Sequence, residues 1–309
     1  MDRPSPRSLT GESFTPVLVL ILVVTLWRLL MAGLVPVTQD EAYYFDWARH
    51  LAWGYFDHPP AVALLGLGVR LEPGSALAAR LGGILTGLLT LVVVARLYRQ
   101  SGLVQGRDLG LALLVVAGTL PGLAGGFLTT PDTALALAWA LALHESERAL
   151  AGDRRRWLTA GLAVGIGLLS QYSMVIMGPV LLWAILWADP RALRTPWPYL
   201  GGLVALLVLA PNLLWTANTD WLSLRVQVGH GFATDSGALV EGGDGDLHTQ
   251  GTGIQHDGPQ GLGGWVASLA GFLGTQLGLW GLLALPLLLT PWLTPWLVRG
   301  GPVRRGRGP

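Results

Sequence analysis

Three short stretches place chemistry-bearing side chains at helix starts. Residues 40–60, "DEAYYFDWARHLAWGYFDHPP", open on the adjacent acids Asp40 and Glu41 and close on Asp57-His58-Pro59-Pro60. Residues 129–132, Thr-Thr-Pro-Asp, add Asp132. A carboxylate of this kind can take a proton from a hydroxyl or amine, and Asp beside His under an aromatic shelf can hold a metal or a phosphate. Each stretch also has a plainer reading. Acids in a first turn complement the helix dipole, and Asp or Thr before Pro is a common helix start. One acid serves a dipole well enough, so the doubled Asp40-Glu41 points towards a base; Asp57 and Asp132 remain open between cap and site.

The elements that must position these residues are read from composition and charge. The chain has 309 residues, 51% hydrophobic and 13% charged, with a mean hydropathy of +0.51. Soluble domains average about 25% charged residues, so the composition indicates a membrane protein. Every basic residue is Arg, and the net charge of +1 gives no pull towards nucleic acid. The absence of cysteine excludes disulfides, thiolate nucleophiles and Cys-ligated metals. A span needs roughly 20 apolar residues, which selects 15–36, 77–98, 109–127, 132–150, 198–216 and 265–290. The polar residues 1–14 lead into the first of these, read as an uncleaved span. The stretch 157–188 is long for one helix and short for two. If it crosses once, Arg154–Arg156 and Arg191/Arg194 fall on opposite faces; if it crosses twice, they share the cytoplasmic face. The expected fold is therefore all-α and polytopic, with about eight transmembrane helices and both termini cytoplasmic.

That topology puts the acids and five of the six histidines outside, in two long outer loops. In loop 37–76, Tyr44, Ala48, Leu51 and Tyr55 recur at helical spacing, which predicts an amphipathic interfacial helix, followed by a second short helix over 61–71. Loop 217–264 carries a Gly-, Asp- and His-rich flexible insert, whose Gly242–Asp246 run lacks the ligand spacing of a calcium loop. The expected organisation is a transmembrane core over 1–216, outer loop 217–264, a last transmembrane helix over 265–298 and a basic cytoplasmic tail over 299–309. Arg28 falls within the first span, either snorkelling or paired with an acid inside the bundle.

The stretch "DEAYYFDWARHLAWGYFDHPPAVALL" closely resembles the first outer loop of bacterial polyprenyl-phosphate-sugar glycosyltransferases of the GT-C superfamily, which includes protein O-mannosyltransferases and lipid A aminoarabinose transferases. The resemblance continues through "TTPDTALALAWALAL", "GLLSQYSMVIMGP" and "PNLLWTANTDWLSLRVQVGHGF", covering roughly 15–232 in order. It implies transfer of a sugar, with inversion, from a polyprenyl-phosphate carrier to a lipid, glycan or protein acceptor on the outer side of the cytoplasmic (inner) membrane of the cell envelope. It implies that Asp40, with Glu41 beside it, and Asp132 are catalytic acids. It implies a divalent metal (Mg, Mn or Zn) on Asp57 and His230. His58, Arg80, Tyr55 and Gln171 are the expected contacts to the donor phosphate and sugar; His58 and Gln171 stand where lysines occur in relatives. The run "VRGGPVRRGRGP" ends the chain earlier than the family pattern, so a split or non-catalytic subunit is the alternative. A lipid-linked sugar flippase is the rival class, although its polar residues belong near the midplane, in a repeated half.

Overall fold

The computed structural model describes residues 15–102 and 106–232, together with 266, 269–271, 273 and 274; among them there are helices and no strand. The residues divide between two units, Met1–Leu114 with Ala124–Leu247 and Val115–Leu123 with His248–Pro309. The Gly-rich insert from 233 onward, most of the expected last span and the tail 299–309 lie outside the described residues.

Among the described residues, three helices are long and apolar enough to cross a membrane: α1 (Thr15–Leu34), α4 (Ala76–Ser101) and α10 (Trp197–Ala217). Between them come α2 (Gln39–Arg49), α3 (Ala61–Leu65), α5 (Gly106–Gly118), α6 (Leu120–Ala124), α7 (Pro131–Leu150), α8 (Arg156–Ser170) and α9 (Met177–Ala188), and α11 (Leu222–Phe232) follows. At 1.5 Å per residue the three long helices measure about 30, 39 and 32 Å, enough for about 30 Å of hydrocarbon. Their outward faces are apolar: Leu18, Leu22, Leu26 and Leu30 on α1 and Leu203, Leu206, Leu207 and Leu214 on α10 are exposed. Such continuous apolar faces are stable only where the surrounding solvent is itself hydrocarbon. Arg28 does not snorkel. It is buried, and a Cβ on Gly126 would fall 2.0 Å from its guanidinium carbon, so the side chain lies in a slot between Gly126 and Gly87.

The expected span 109–127 is interrupted. Thr119 separates α5 from α6, its hydroxyl donating to the Val116 carbonyl and accepting the Gly122 N–H, both at 3.0 Å. A threonine that bonds its local backbone competes with the helix ladder, and Pro121 cannot supply a ladder N–H.

The stretch 157–188 folds back on itself. Helix α8 ends at Gln171, which is extended (φ −156°, ψ 135°), and a 3-10 turn over Tyr172–Ile176 leads into α9. Trp157 at the start of α8 and Ile185 near the end of α9 share one buried cluster with Ala149 and Ala192. Arg154 pairs with Asp189 at 3.1 Å. The two ends of the stretch therefore meet, and Arg154–Arg156, Arg191 and Arg194 gather at the same end as the close of α7.

Helix α8 packs on α10 through glycines. A Cβ on Gly201 would lie 2.4 Å from the Trp157 carbonyl oxygen, and one on Gly161 would lie 2.0 Å from that of Gly201. In lipid, where apolar surface gains nothing from helix contact, close backbone approach at small residues supplies the association. Gly202, one position on, meets nothing within 4 Å. Gly201→Ala is therefore expected to cost about 1–3 kcal/mol through overpacking against backbone. Gly202→Ala is expected to be neutral or to gain up to about 1 kcal/mol of helix propensity. Thermal unfolding of the two variants in detergent checks the pair; equal midpoints would overturn the α8–α10 contact.

Candidate active site

Helix α2 begins with a reciprocal cap. Thr38 Oγ1 accepts the Glu41 N–H at 3.2 Å, and the Glu41 carboxylate accepts the Thr38 N–H at 3.1 Å. The same carboxylate receives Arg80 from α4 in a two-pronged bond, Nε to Oε1 at 2.8 Å and Nη2 to Oε2 at 2.6 Å. The Thr129 N–H adds a further bond to Oε1 at 3.1 Å. Arg80 donates its remaining N–H groups to the carbonyls of Ala32 at 2.9 Å, Val35 at 2.7 Å and Pro36 at 3.0 Å. All five guanidinium N–H groups are thus used, two of them on carbonyls that the end of α1 leaves without helical partners. Both side chains have no exposed surface. Burial raises the Glu41 pKa, but the bonds from Arg80, Thr129 and Thr38 outweigh it and hold the carboxyl below its ordinary 4.5. Glu41, expected as a catalytic acid, is an anion at neutral pH with its oxygens engaged. Arg80, expected at the donor phosphate, has no N–H left to offer one.

The burial of Glu41 decides where Asp40 goes. Successive helical residues point about 100° apart, so turning the third residue of α2 inward turns the second outward, and Asp40 is exposed. The start of α7 repeats the arrangement. Thr130 stands at the N-cap position without a side-chain cap bond, Pro131 takes the first position, and Thr133 in the third is buried, donating between the Gly125 carbonyl at 3.1 Å and the Leu128 carbonyl at 3.0 Å. Asp132, in the second position, is exposed.

Asp57 joins them from the loop after α2. Tyr43 donates its hydroxyl to Asp57 at 3.4 Å, and His58 Nε2 stands 3.8 Å from the same carboxylate. Burial pushes the His58 imidazole below 6.5, against the upward pull of Asp57, Asp132 and Asp40. The Tyr44 hydroxyl is pushed up to about 12, by burial first and then by Asp57, Asp40 and Asp132. Two side chains thus feel all three acids, so Asp40, Asp57 and Asp132 lie within electrostatic reach of His58 and Tyr44. The imidazole sits edge-on to the Tyr44 ring at 6.0 Å and the Trp47 ring at 6.4 Å. At neutral pH it is an uncharged hydrogen-bonding group among three carboxylates, not the fixed cation expected for a phosphate.

Tyr55, expected at the donor, is taken up by the loop. Its ring stacks on Trp47 with centroids 4.2 Å apart and planes 2° from parallel. Its hydroxyl accepts the Ala52 N–H at 3.1 Å and donates between the Trp47 and His50 carbonyls. Gln171 is half-buried where α8 breaks, and its carbonyl accepts the Ser173 hydroxyl at 3.1 Å. The preceding Ser170 donates to the Pro131 carbonyl at 2.6 Å, which brings this break to the start of α7 and Asp132. The backbone of His230 belongs to α11, and its side chain lies outside the described residues. Among the described residues no group of three or more His, Asp or Glu side chains is arranged to hold a metal. Asp57 and His58 alone supply two donor side chains. Sequence reasoning missed the Glu41–Arg80 pairing, because no local pattern links residues 39 positions apart. It also missed Asn212, Ser223 and Gln227, which bond the backbone of the Asp57 loop.

The profile of the dolichyl-phosphate-mannose-protein mannosyltransferase family matches residues 57–215. The lipid A galacturonosyltransferase RgtD of Rhizobium johnstonii is 27% identical over 218 residues, a match covering 67% of this chain and 45% of that protein. The chain thus spans less than half the length of this curated relative. No solved structure matches the chain.

Removing one member of a buried ion pair strands the other, at a cost of about 3–5 kcal/mol. Glu41→Gln and Arg80→Gln are each expected to lower stability by that order, whereas the exposed Asp40→Asn costs less than about 1 kcal/mol of helix-dipole interaction. Thermal unfolding in detergent separates the two classes.

Acid has two expected effects of one sign. The folded state binds a proton more weakly than the unfolded chain at His58 and at Glu41, so both contributions are full at neutral pH. The His58 contribution is lost as pH falls below 6.5 towards its folded value, and the Glu41 contribution as pH falls below 4.5 towards its own. In a pH series of melting midpoints, His58→Gln should remove the first decline and leave the second.

Proposed function

The chain belongs to the dolichyl-phosphate-mannose-protein mannosyltransferase family, and from that premise we propose that it is a membrane glycosyltransferase. It moves a sugar from a polyprenyl-phosphate carrier to a lipid, glycan or protein acceptor at the outer face of the cytoplasmic membrane, with inversion. The observation that supports this reading is that Asp40, Asp57 and Asp132 all act electrostatically on His58 and Tyr44. A lipid-linked donor keeps its tail in the bilayer and its phosphate at the boundary, where α2 and the Asp57 loop lie in this topology. A transporter would instead gather its polar groups near the midplane on broken helices.

In this mechanism Asp40 accepts the proton of an acceptor hydroxyl or amine. The freed lone pair attacks the anomeric carbon, and the bond from that carbon to the phosphate oxygen breaks on the opposite face. The polyprenyl phosphate leaves with the bonding electrons, so no covalent enzyme intermediate forms. Phosphate leaves readily without a general acid, and a hydrogen bond from neutral His58 would stabilise the charge growing on it. Asp132 faces the same space and orients the acceptor. Glu41 and Arg80 hold the base in place and touch neither substrate. A divalent cation on Asp57 and the His230 side chain would supply further neutralisation of the leaving phosphate.

The topology proposed with this function has about eight spans, both termini cytoplasmic and the acids outside. The basic cluster around Arg154 and Arg191 supports it, because cytoplasmic segments concentrate arginine. Reporter fusions at Gly54 should behave as exported and those at Arg154 as cytoplasmic; an exported Arg154 fusion would overturn the arrangement.

Purified protein should turn over a polyprenyl-phosphate sugar. Asp40→Asn keeps size and hydrogen bonding but removes the base, and turnover should fall about 10²–10⁴-fold while donor binding persists. Transfer at the wild-type rate by Asp40→Asn would leave Asp40 as a helix-start residue only.

A further inference from the structure

The loop that carries Asp57 and His58 is held by side chains from helices far along the chain. Asn212 of α10 donates from Nδ2 to the Trp53 carbonyl at 2.7 Å. Ser223 of α11 donates its hydroxyl to the Tyr55 carbonyl, and Gln227 of α11 donates from Nε2 to the Asp57 carbonyl. The backbone bends at residues 53 and 56–58, and the Tyr55 N–H closes a turn on the His58 carbonyl at 3.0 Å. Three carbonyls of this turn, those of residues 53, 55 and 57, are thus each taken by a side chain of α10 or α11. Between the first two anchors, a Cβ on Gly54 would fall 2.3 Å from the Trp215 ring, so the loop backbone lies directly on α10. Asn212 and Ser223 are fully buried. Asn212 is satisfied at its other end by the Tyr172 hydroxyl, which donates to Oδ1 at 3.0 Å.

Gln227 also reaches His58. A carbonyl can only accept, so the Gln227 amide nitrogen must face Asp57, and the same nitrogen is 3.4 Å from His58 Nδ1. An N–H turned towards Nδ1 requires a lone pair there. The proton of the neutral imidazole then sits on Nε2, the nitrogen nearer the Asp57 carboxylate.

Helix α11 is brought over the loop by an unusual corner. Asp220 and Trp221 have positive φ values of 54° and 61°, and the Trp221 N–H bonds back to the Thr216 carbonyl at 2.8 Å. A bulky residue such as Trp seldom adopts this conformation. Here the conformation turns Ser223 and Gln227 towards the loop.

We propose that Asn212, Ser223 and Gln227 are positioning residues, a side-chain clamp that holds the bent stretch 53–57 in place and sets the placement and tautomer of the Asp57–His58 pair. The effect on catalysis rests on the glycosyltransferase reading; the clamp itself does not.

The absence of native cysteine makes an introduced one unique. Phe56→Cys places it on the clamped stretch at an exposed position, where a nitroxide spin label reports loop motion in the full chain in detergent. Ser223→Ala and the isosteric Gln227→Glu each remove a donor, and each should narrow the label's spectrum. Ser223→Thr retains a hydroxyl and should restore the wild-type spectrum. Thermal unfolding on the same samples verifies that each variant is folded. With a polyprenyl-phosphate sugar as substrate, kcat should fall on the order of 10–100-fold in Ser223→Ala, with a smaller change in KM for donor, as expected when reacting groups are displaced by an ångström. An unchanged label spectrum in both donor-less variants overturns the clamp whatever the activity. A mobilised label with unchanged kcat overturns its role in positioning the reaction. If wild type shows no turnover, the glycosyltransferase reading fails, and the label spectra still decide the clamp.

Discussion

The Glu41–Arg80 ion pair is the constraint on which the acidic end of this protein depends. It joins the last carbonyls of α1, the first turn of α2, the body of α4 and the chain entering α7 at one buried point. A buried pair of this kind is weak as a source of net stability, because desolvation of both charges offsets most of their attraction. Its value is geometric. Arg80 directs its N–H groups in a rigid fork, and every prong meets an acceptor, so the four segments are held in one arrangement. The inward turn of Glu41 then leaves Asp40 facing out, towards Asp57 and Asp132. Two acids that look equivalent in sequence take opposite roles because they differ by one helical step.

The same device recurs where Thr133 turns in and Asp132 turns out. Both candidate acids occupy the second position of a helix whose third residue is anchored in the interior. A carboxylate held in this way is presented on a rigid element rather than on a mobile loop, which suits a group that must meet a substrate at fixed distance. Asp57 and His58 do lie on a loop, and there the rigidity comes from outside, through side chains of α10 and α11 on alternate carbonyls.

Around this end, the helices are arranged by the needs of a hydrocarbon solvent. The long helices turn many leucines outward, because contact with lipid costs an apolar side chain nothing, and Gly201 lets α10 approach α8 closely. The fold-back at Gln171 is tied to α7 by Ser170 and returns α9 to the basic end, where Arg154 meets Asp189.

Much of this was determined by the sequence itself. Apolar length marked α1, α4 and α10, and the arginine clusters required the stretch 157–188 to return to its starting end. The acids Asp40-Glu41 and the Pro131-Asp132 pair marked helix starts, and the periodicity from Tyr44 marked the interfacial helix, which ends at Arg49, before Leu51 and Tyr55. These are local properties, set by a residue and neighbours within two turns. Span 109–127 was read through because its apolar length concealed the competition from Thr119 and Pro121. The division of labour among the charged residues was decided only by tertiary structure. Whether Glu41 is a base or a strut depends on Arg80, 39 residues away, and the Tyr55 ring and hydroxyl are taken up by Trp47 stacking and three backbone groups. The carbonyls of the Asp57 loop find donors about 160 to 170 residues downstream. Ionisable and hydrogen-bonding groups take their function from whatever satisfies them. For the buried ones, that partner is chosen by the packing of distant segments, which no local pattern records.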